Sequence, residues 1–173
     1  MTNETVSAKA DYDVVIVGLG PTGATLANIL GEYGIDVLVL EREESVYPLP
    51  RAVHFDDEAM RVFQSIGLAE AIGRDARVNV GTKFVDSNMD LMLDWSRPQE
   101  IGPLGWHPSY RFHQPDHEAE LTLGLASQGT VAVLRSANVT AVTDHDDNVT
   151  VSYEHGGGAR SVSARYVLSL IHI

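Results

Sequence analysis

Cysteine is absent from the 173 residues, which excludes a disulfide framework, a thiolate metal site and a cysteine nucleophile. That absence suits a reducing compartment, and the cytoplasm is the expected location. Basic residues are scarce, 12 against 24 acidic ones, so the formal net charge is −12. Such a chain is repelled by phosphate backbones and anionic lipid surfaces, and neither a nucleic-acid nor a membrane partner is expected. Long apolar runs are also lacking: none approaches the roughly 20 residues that span a bilayer. Met1–Ala10 is polar, without the basic-then-apolar pattern of a signal peptide. It reads as a leader, and the Asn-x-Thr triplets at Asn3, Asn138 and Asn148 then read as chance, since they matter only in a secreted chain. What remains, 44% hydrophobic and 21% charged, is enough to build one globular core.

Tyr12–Val17 is a β-branched run broken by glycine, as expected of a strand buried on both faces. Pro21 to Tyr33 carries Leu26, Ala27, Ile29 and Leu30 at helical spacing, with Pro21 in the first turn and Gly34 past the end. Val37–Leu40 is a second apolar strand, so residues 12–41 form a βαβ unit with parallel strands and a right-handed crossover. Asp56, Asp57 and Glu58 open a helix that ends at Gly67 and read as its acidic cap. Leu68–Arg74 adds a short helix. The runs Thr82–Val85 and Leu91–Asp94 flank the turn Asp86-Ser87-Asn88, and residues 96–109, with Pro98, Pro103 and Pro108, read as an extended loop. Pro115–Ser127 returns to helical spacing. Val131–Leu134, Val139–Val142, Val149–Tyr153 and Ser161–Leu168 read as strands, with turns at Asp146-Asp147-Asn148 and Gly156-Gly157-Gly158.

Gly18-Leu19-Gly20-Pro21-Thr22-Gly23 fits G-x-G-x-x-G, a weak pattern alone but placed here between a strand and a helix. Gly18 suits the tight turn, Gly20 lets backbone approach a pyrophosphate, and Gly23 allows close helix–strand packing, with Pro21 and Thr22 opening the helix toward the phosphates. Glu41 ends the second strand 18 residues after Gly23, where a carboxylate accepts the hydroxyls of an adenosine ribose and repels a 2′-phosphate. These residues define a Rossmann-like α/β dinucleotide site without separating NAD from FAD. His113 and His117 stand four apart. Pro115 starts the helix between them, so no metal pair is expected.

The stretch Asp13–Glu41 resembles the FAD-binding N-terminus of the glutathione-reductase-like flavoproteins. Adding Glu41-Arg42, Pro50-Arg51-Ala52, Phe55–Leu68, and Phe112-His113-Gln114-Pro115 before Glu118, the chain resembles the single-component FAD-dependent aromatic hydroxylases over about residues 12–167. The resemblance implies an α/β, Rossmann-like FAD-binding domain with a β-meander and the start of a substrate-domain insertion at about residues 78–110. It also implies that Arg42 lies beside the adenosine, that Arg51 reaches the flavin side, and that Gln114 bonds the ribityl or pyrophosphate region. From the residues alone Arg51 reads first as a solvated loop arginine, and Gln114 reads equally as the cap before Pro115. The implied activity is hydroxylation of a small aromatic substrate with NADH or NADPH and O₂, in a chain compatible with a homo-oligomer. A related FAD-dependent oxidoreductase, such as a polyketide hydroxylase or a reductase, shares residues 12–41 and stays open. Family members continue from the strand Ala164–Val167 into a glycine-aspartate-glycine segment. Leu168–Ile173 does not match it, so these residues are expected to be a non-native tail, and the 173 residues alone to be inactive in hydroxylation.

Overall fold

The structure, a computed structural model, describes residues 10–169. The first nine residues of the leader, with the Asn3 triplet, and the last four of the tail lie outside them. Among the described residues the order is β1 (Tyr12–Val17), α1 (Pro21–Glu32), β2 (Val37–Leu40), β3 (His54–Asp56), α2 (Asp57–Ser65), α3 (Ala69–Asp75) and β4 (Arg77–Val78). There follow β5 (Gly81–Val85), β6 (Leu91–Ser96), β7 (Ser109–Arg111), α4 (Gln114–Leu125), β8 (Val131–Leu134), β9 (Asn138–Asp144), β10 (Val149–His155) and β11 (Gly158–Ser169). They fall into two compact units, one from the stretches up to Tyr47 and from Leu121 onward, the other Pro48–Glu120.

The first unit is a six-stranded sheet in the order β8-β2-β1-β11-β10-β9. The first four strands are mutually parallel, and β11, β10 and β9 follow one another antiparallel. β11 joins the two halves: Ala164 pairs with Val149 on one side and Tyr12 on the other, so its first part runs with β10 and its last with β1. Its pairing continues through Leu168 and Ser169, opposite Ile16 and Val17. A central parallel strand is apolar on both faces, and accordingly all four residues of β2 are buried, as are Val14, Val15 and Ile16 of β1. One core cluster joins Val15, Leu38, Leu40, Ala137, Val151, Val162 and Ala164. Each large aliphatic side chain there contributes about 1.5–3 kcal/mol of gross transfer free energy. Gly156 and Gly157, both at positive φ, make the two-residue turn between β10 and β11. In α1 the buried Asn28 donates Nδ2 to the carbonyls of Ala24 and of Leu121 in α4, so this polar group in the core is satisfied.

The second unit holds a three-stranded antiparallel sheet, β3-β7-β4, and the separate hairpin β5–β6. The three-stranded sheet was not anticipated. Its strands have two or three residues each, too few for a period of two to register, and β3 pairs with residues more than 50 positions away (His54 with Arg111). Asp56 ends β3 and caps α2, its Oδ1 accepting the Ala59 N–H at 3.0 Å. In the hairpin, Asp86 Oδ1 accepts the N–H groups of Asn88 and Asp90, and the turn runs through Met89 at φ 68°. Phe84, Leu91, Leu93 and Trp95 are all exposed. Phe55, Phe63 and Phe112 pack around the His117 ring, with centroids 4.9–5.7 Å from it.

Candidate functional site

The three glycines of the first turn serve three separate physical needs. Gly18 sits at φ +101°, a backbone that side-chain-bearing residues rarely adopt, and its N–H donates to the Leu40 carbonyl at 2.8 Å. A Cβ on Gly23 would lie 2.1 Å from the Gly18 carbonyl oxygen, so α1 can approach β1 only without one. A Cβ on Gly20 would meet no protein atom within 4 Å; what its absence leaves there is open space.

That space lies at the start of α1. Gly20 is the N-cap, contributes no side-chain hydrogen bond, and is followed by Pro21 with no acidic residue in the first turn. The first N–H groups of a helix have no intrahelical acceptor, and here no cap side chain supplies one. Thr22 is exposed beside them. An uncapped N-terminus with a bare backbone approach fits a dinucleotide pyrophosphate, through both its N–H groups and its dipole.

Glu41 lies at the carboxyl end of β2, on the same edge of the parallel strands. Its Oε2 accepts the Leu19 N–H at 2.6 Å and its Oε1 the Glu43 N–H at 2.8 Å. One carboxylate thus ties the glycine turn to the end of β2, and with roughly four lone-pair sites it keeps capacity for further donors. Residues 134–137 lie against the same segment: the Glu41 N–H donates to the Leu134 carbonyl and the Ala137 N–H to the Glu41 carbonyl. Ser136 there stands at φ 55°. The sequence offered one clue to this stretch, that loops at the carboxyl ends of parallel strands line the ligand crevice. Arg42 is mostly exposed and pairs through Nε with Glu43 at 3.2 Å, a contact of small energetic weight.

In the second unit, the backbone N–H groups of Arg51 and Ala52 both donate to Gln114 Oε1, each at 2.7 Å, and Gln114 Nε2 donates to Glu118 Oε1 at 2.6 Å. Gln114 and Glu118 are each 5% exposed. The Gln114 side chain is therefore turned to the Arg51–Ala52 segment. His113 lies before α4 and pairs with Asp116 at 2.9 Å, while His117 is buried among phenylalanines, so the two do not converge. Burial pushes the His117 imidazole down from 6.5 to about 4. Among the described residues no group of three or more His, Asp or Glu side chains is placed to hold a metal, and no helix is long and apolar enough to cross a membrane.

Parallel strands around a βαβ core, a glycine turn at an uncapped helix start and an acid ending the next strand define a dinucleotide-binding α/β protein. The chain belongs to the FAD binding domain family, which it matches over residues 11–169. Among curated proteins it is 40% identical to the 3-(3-hydroxy-phenyl)propionate/3-hydroxycinnamic acid hydroxylase of Mycolicibacterium smegmatis, over 94% of this chain and 29% of that one. It is 41% identical to the probable NADH-specific resorcinol 4-hydroxylase of Rhodococcus jostii, over 94% of this chain and 31% of the relative. Among solved structures, p-nitrophenol 4-monooxygenase from Pseudomonas putida superposes with a TM-score of 0.83 at 25% identity, covering 91% of this chain and 40% of that one. The chain thus spans less than a third of the length of these two curated relatives.

Proposed function

We propose that this chain is the FAD-binding part of a flavin-dependent hydroxylase that acts on a phenolic or other aromatic acid with NADH or NADPH and O₂. The observation that carries the reading is the uncapped start of α1 behind Gly18 and Gly20, joined by Glu41 to the end of β2. Bound FAD would supply the redox and oxygenating chemistry. The residues of this chain bind and orient it. Gly18, Gly20, Pro21, Thr22 and Gly23 form the pyrophosphate turn, and Glu41 accepts a ribose hydroxyl while Arg42 lies beside the adenosine. The assignment of Arg51 and Gln114 to the flavin side rests on the family resemblance. On the same ground β9–β11 are the meander of the family, the exposed hairpin β5–β6 belongs to the start of a substrate region, and the protein works in the cytoplasm. A small aromatic substrate and O₂ are its partners.

The test is a titration of the purified chain with FAD, followed by quenching of flavin fluorescence, with NAD and NADP in parallel. FAD alone is expected to bind tightly. Glu41→Ala is expected to weaken it by about 1.5–3 kcal/mol, the range for a hydrogen bond to a charged group. Unchanged affinity would remove Glu41 from the site, and tighter binding of NAD than of FAD would sink the reading. Hydroxylation itself is tested in a protein of the relatives' length, by mass spectrometry of a phenolic acid incubated with NADH or NADPH.

A further inference from the structure

The three-stranded sheet ends where α4 begins. His54 pairs with Arg111, and one residue further out the Phe112 N–H donates to the Val53 carbonyl at 3.1 Å. Beyond that the chain turns into α4, whose backbone carbonyls are committed to the helix, and the next two N–H groups of the opposite segment, Arg51 and Ala52, would lose their partners. Gln114 supplies them: its Oε1 stands in for a strand carbonyl and accepts both. An amide oxygen has two lone pairs, so this acceptor is fully used and cannot also serve a ligand. The amide cannot turn over either. Reversed, its NH₂ would face two N–H donors at 2.7 Å and its oxygen would face the Glu118 carboxylate at 2.6 Å. The buried Glu118 therefore fixes the orientation of Gln114.

We infer that Gln114 and Glu118 form a positioning pair that holds the Arg51–Ala52 backbone in place for the cofactor, Gln114 acting through that segment with its carbonyl. The inference rests on the FAD reading proposed above for its functional consequence, and on the hydrogen-bond geometry alone for the clamp itself. Residues 41–53 contain no helix or strand, so these bonds fix where the Arg51 and Ala52 backbone lies. A preorganised arginine binds an anion without first losing the freedom of its loop.

The experiment uses the whole chain and two readouts: hydrogen–deuterium exchange of the peptide spanning Pro50–Val53 without FAD, and FAD affinity by fluorescence quenching. Gln114→Leu removes the acceptor of both N–H groups, and its expected effect is faster exchange in that peptide and about tenfold weaker FAD binding, part of the stabilisation lost with the two hydrogen bonds being felt at the cofactor. Q114E alone keeps the acceptor but sets two carboxylates against each other and is expected to be as impaired. The double variant Q114E/E118Q rebuilds the pair with the donor on the other side, and it is expected to restore both slow exchange and FAD affinity to within about threefold of wild type. A double variant that regains slow exchange but not affinity would overturn the inference, because the Gln114 amide N–H itself would then be touching the cofactor. Unchanged exchange in Gln114→Leu would overturn the clamp. If Gln114→Leu fails to fold, Q114E and the double variant decide the matter by the same two readouts. A wild-type chain with a protected Arg51–Ala52 segment and no affinity for FAD would refute the proposed function while leaving the clamp standing.

Discussion

Two helices begin in this chain within forty residues of each other and are finished in opposite ways. α2 is closed by its own sequence: Asp56 Oδ1 accepts the Ala59 N–H, and Asp57 and Glu58 stand in the first turn against the helix dipole. α1 begins at a glycine with no side-chain cap and no acid in its first turn. Both helices have the same positive end and leave first-turn N–H groups without an intrahelical acceptor, α1 one fewer because Pro21 has none. The sequence has acids in abundance, 24 in all, so the bare start of α1 is not for want of them. An end that neutralises itself contributes stability, and one left bare keeps its stabilising interaction for an external anion. The difference separates the part of the chain built to hold itself together from the part built to hold a dinucleotide.

The largest effects should come from within the glycine turn. Gly23→Val puts a Cβ 2.1 Å from the Gly18 carbonyl oxygen, a backbone clash that only a shift of α1 away from β1 can relieve. We expect a loss of about 3 kcal/mol or more of folding stability, read as a collapse of the urea midpoint. Gly20→Val adds a Cβ that meets no protein atom within 4 Å and replaces a residue at φ −74° and ψ −175°, a backbone that valine adopts readily. It should leave the urea midpoint nearly unchanged and abolish measurable FAD binding. Equal loss of stability in both variants would mean that the open space at Gly20 is not a ligand's.

A smaller effect is expected from acid, confined to the surroundings of α2. The His117 ring packs on Phe63 of α2 and on Phe55 beside its cap, and burial holds its folded-state pKa at about 4, against 6.5. Between those values the unfolded chain binds the proton and the folded one does not, so this contribution is complete above about pH 6.5 and is lost as pH falls toward 4. The full loss is about 3 kcal/mol. Urea unfolding at pH 7 and at pH 4.5, for wild type and His117→Phe, isolates it: the variant should lose less stability than wild type over that interval. Equal losses would show that the ring is as accessible to protons when folded as when unfolded.

The βαβ unit was legible because each of its parts leaves a local mark: four apolar residues at Val37–Leu40, glycine at Gly18 and Gly34, an acid at Glu41. The structure places β2 at Val37–Leu40, as the sequence reading did, and gives Gly18 and Gly34 positive φ. What escaped the sequence depends on partners far along the chain. Nothing in residues 54–56 or 109–111 announces that they pair, and nothing around Gln114 says that its acceptor belongs to Arg51 and Ala52. Glu41 was read correctly as the acid ending β2, while its bond to the Leu19 N–H needed the turn folded back over it. The burial of His117 was equally silent, since one histidine on a helix carries no periodicity of its own.

The smallest expected effect tests the self-closed helix directly. Asp56→Ala removes the acceptor for the Ala59 N–H and one of three acids at the start of α2. Loss of a cap costs about 1 kcal/mol, and because this cap is exposed, water takes over part of the bond. The chain should therefore unfold at a slightly lower urea concentration with its m-value unchanged. Asp57 and Glu58 remain beside the helix end, so the dipole keeps most of its compensation. The point of the variant is its silence toward the cofactor: FAD affinity should stay within about twofold of wild type, since a change confined to this cap has no ligand to lose. If Asp56→Ala instead weakened FAD by tenfold or more while stability held, the start of α2 would be a cofactor contact as well, and the contrast between a closed and an open helix end would fail.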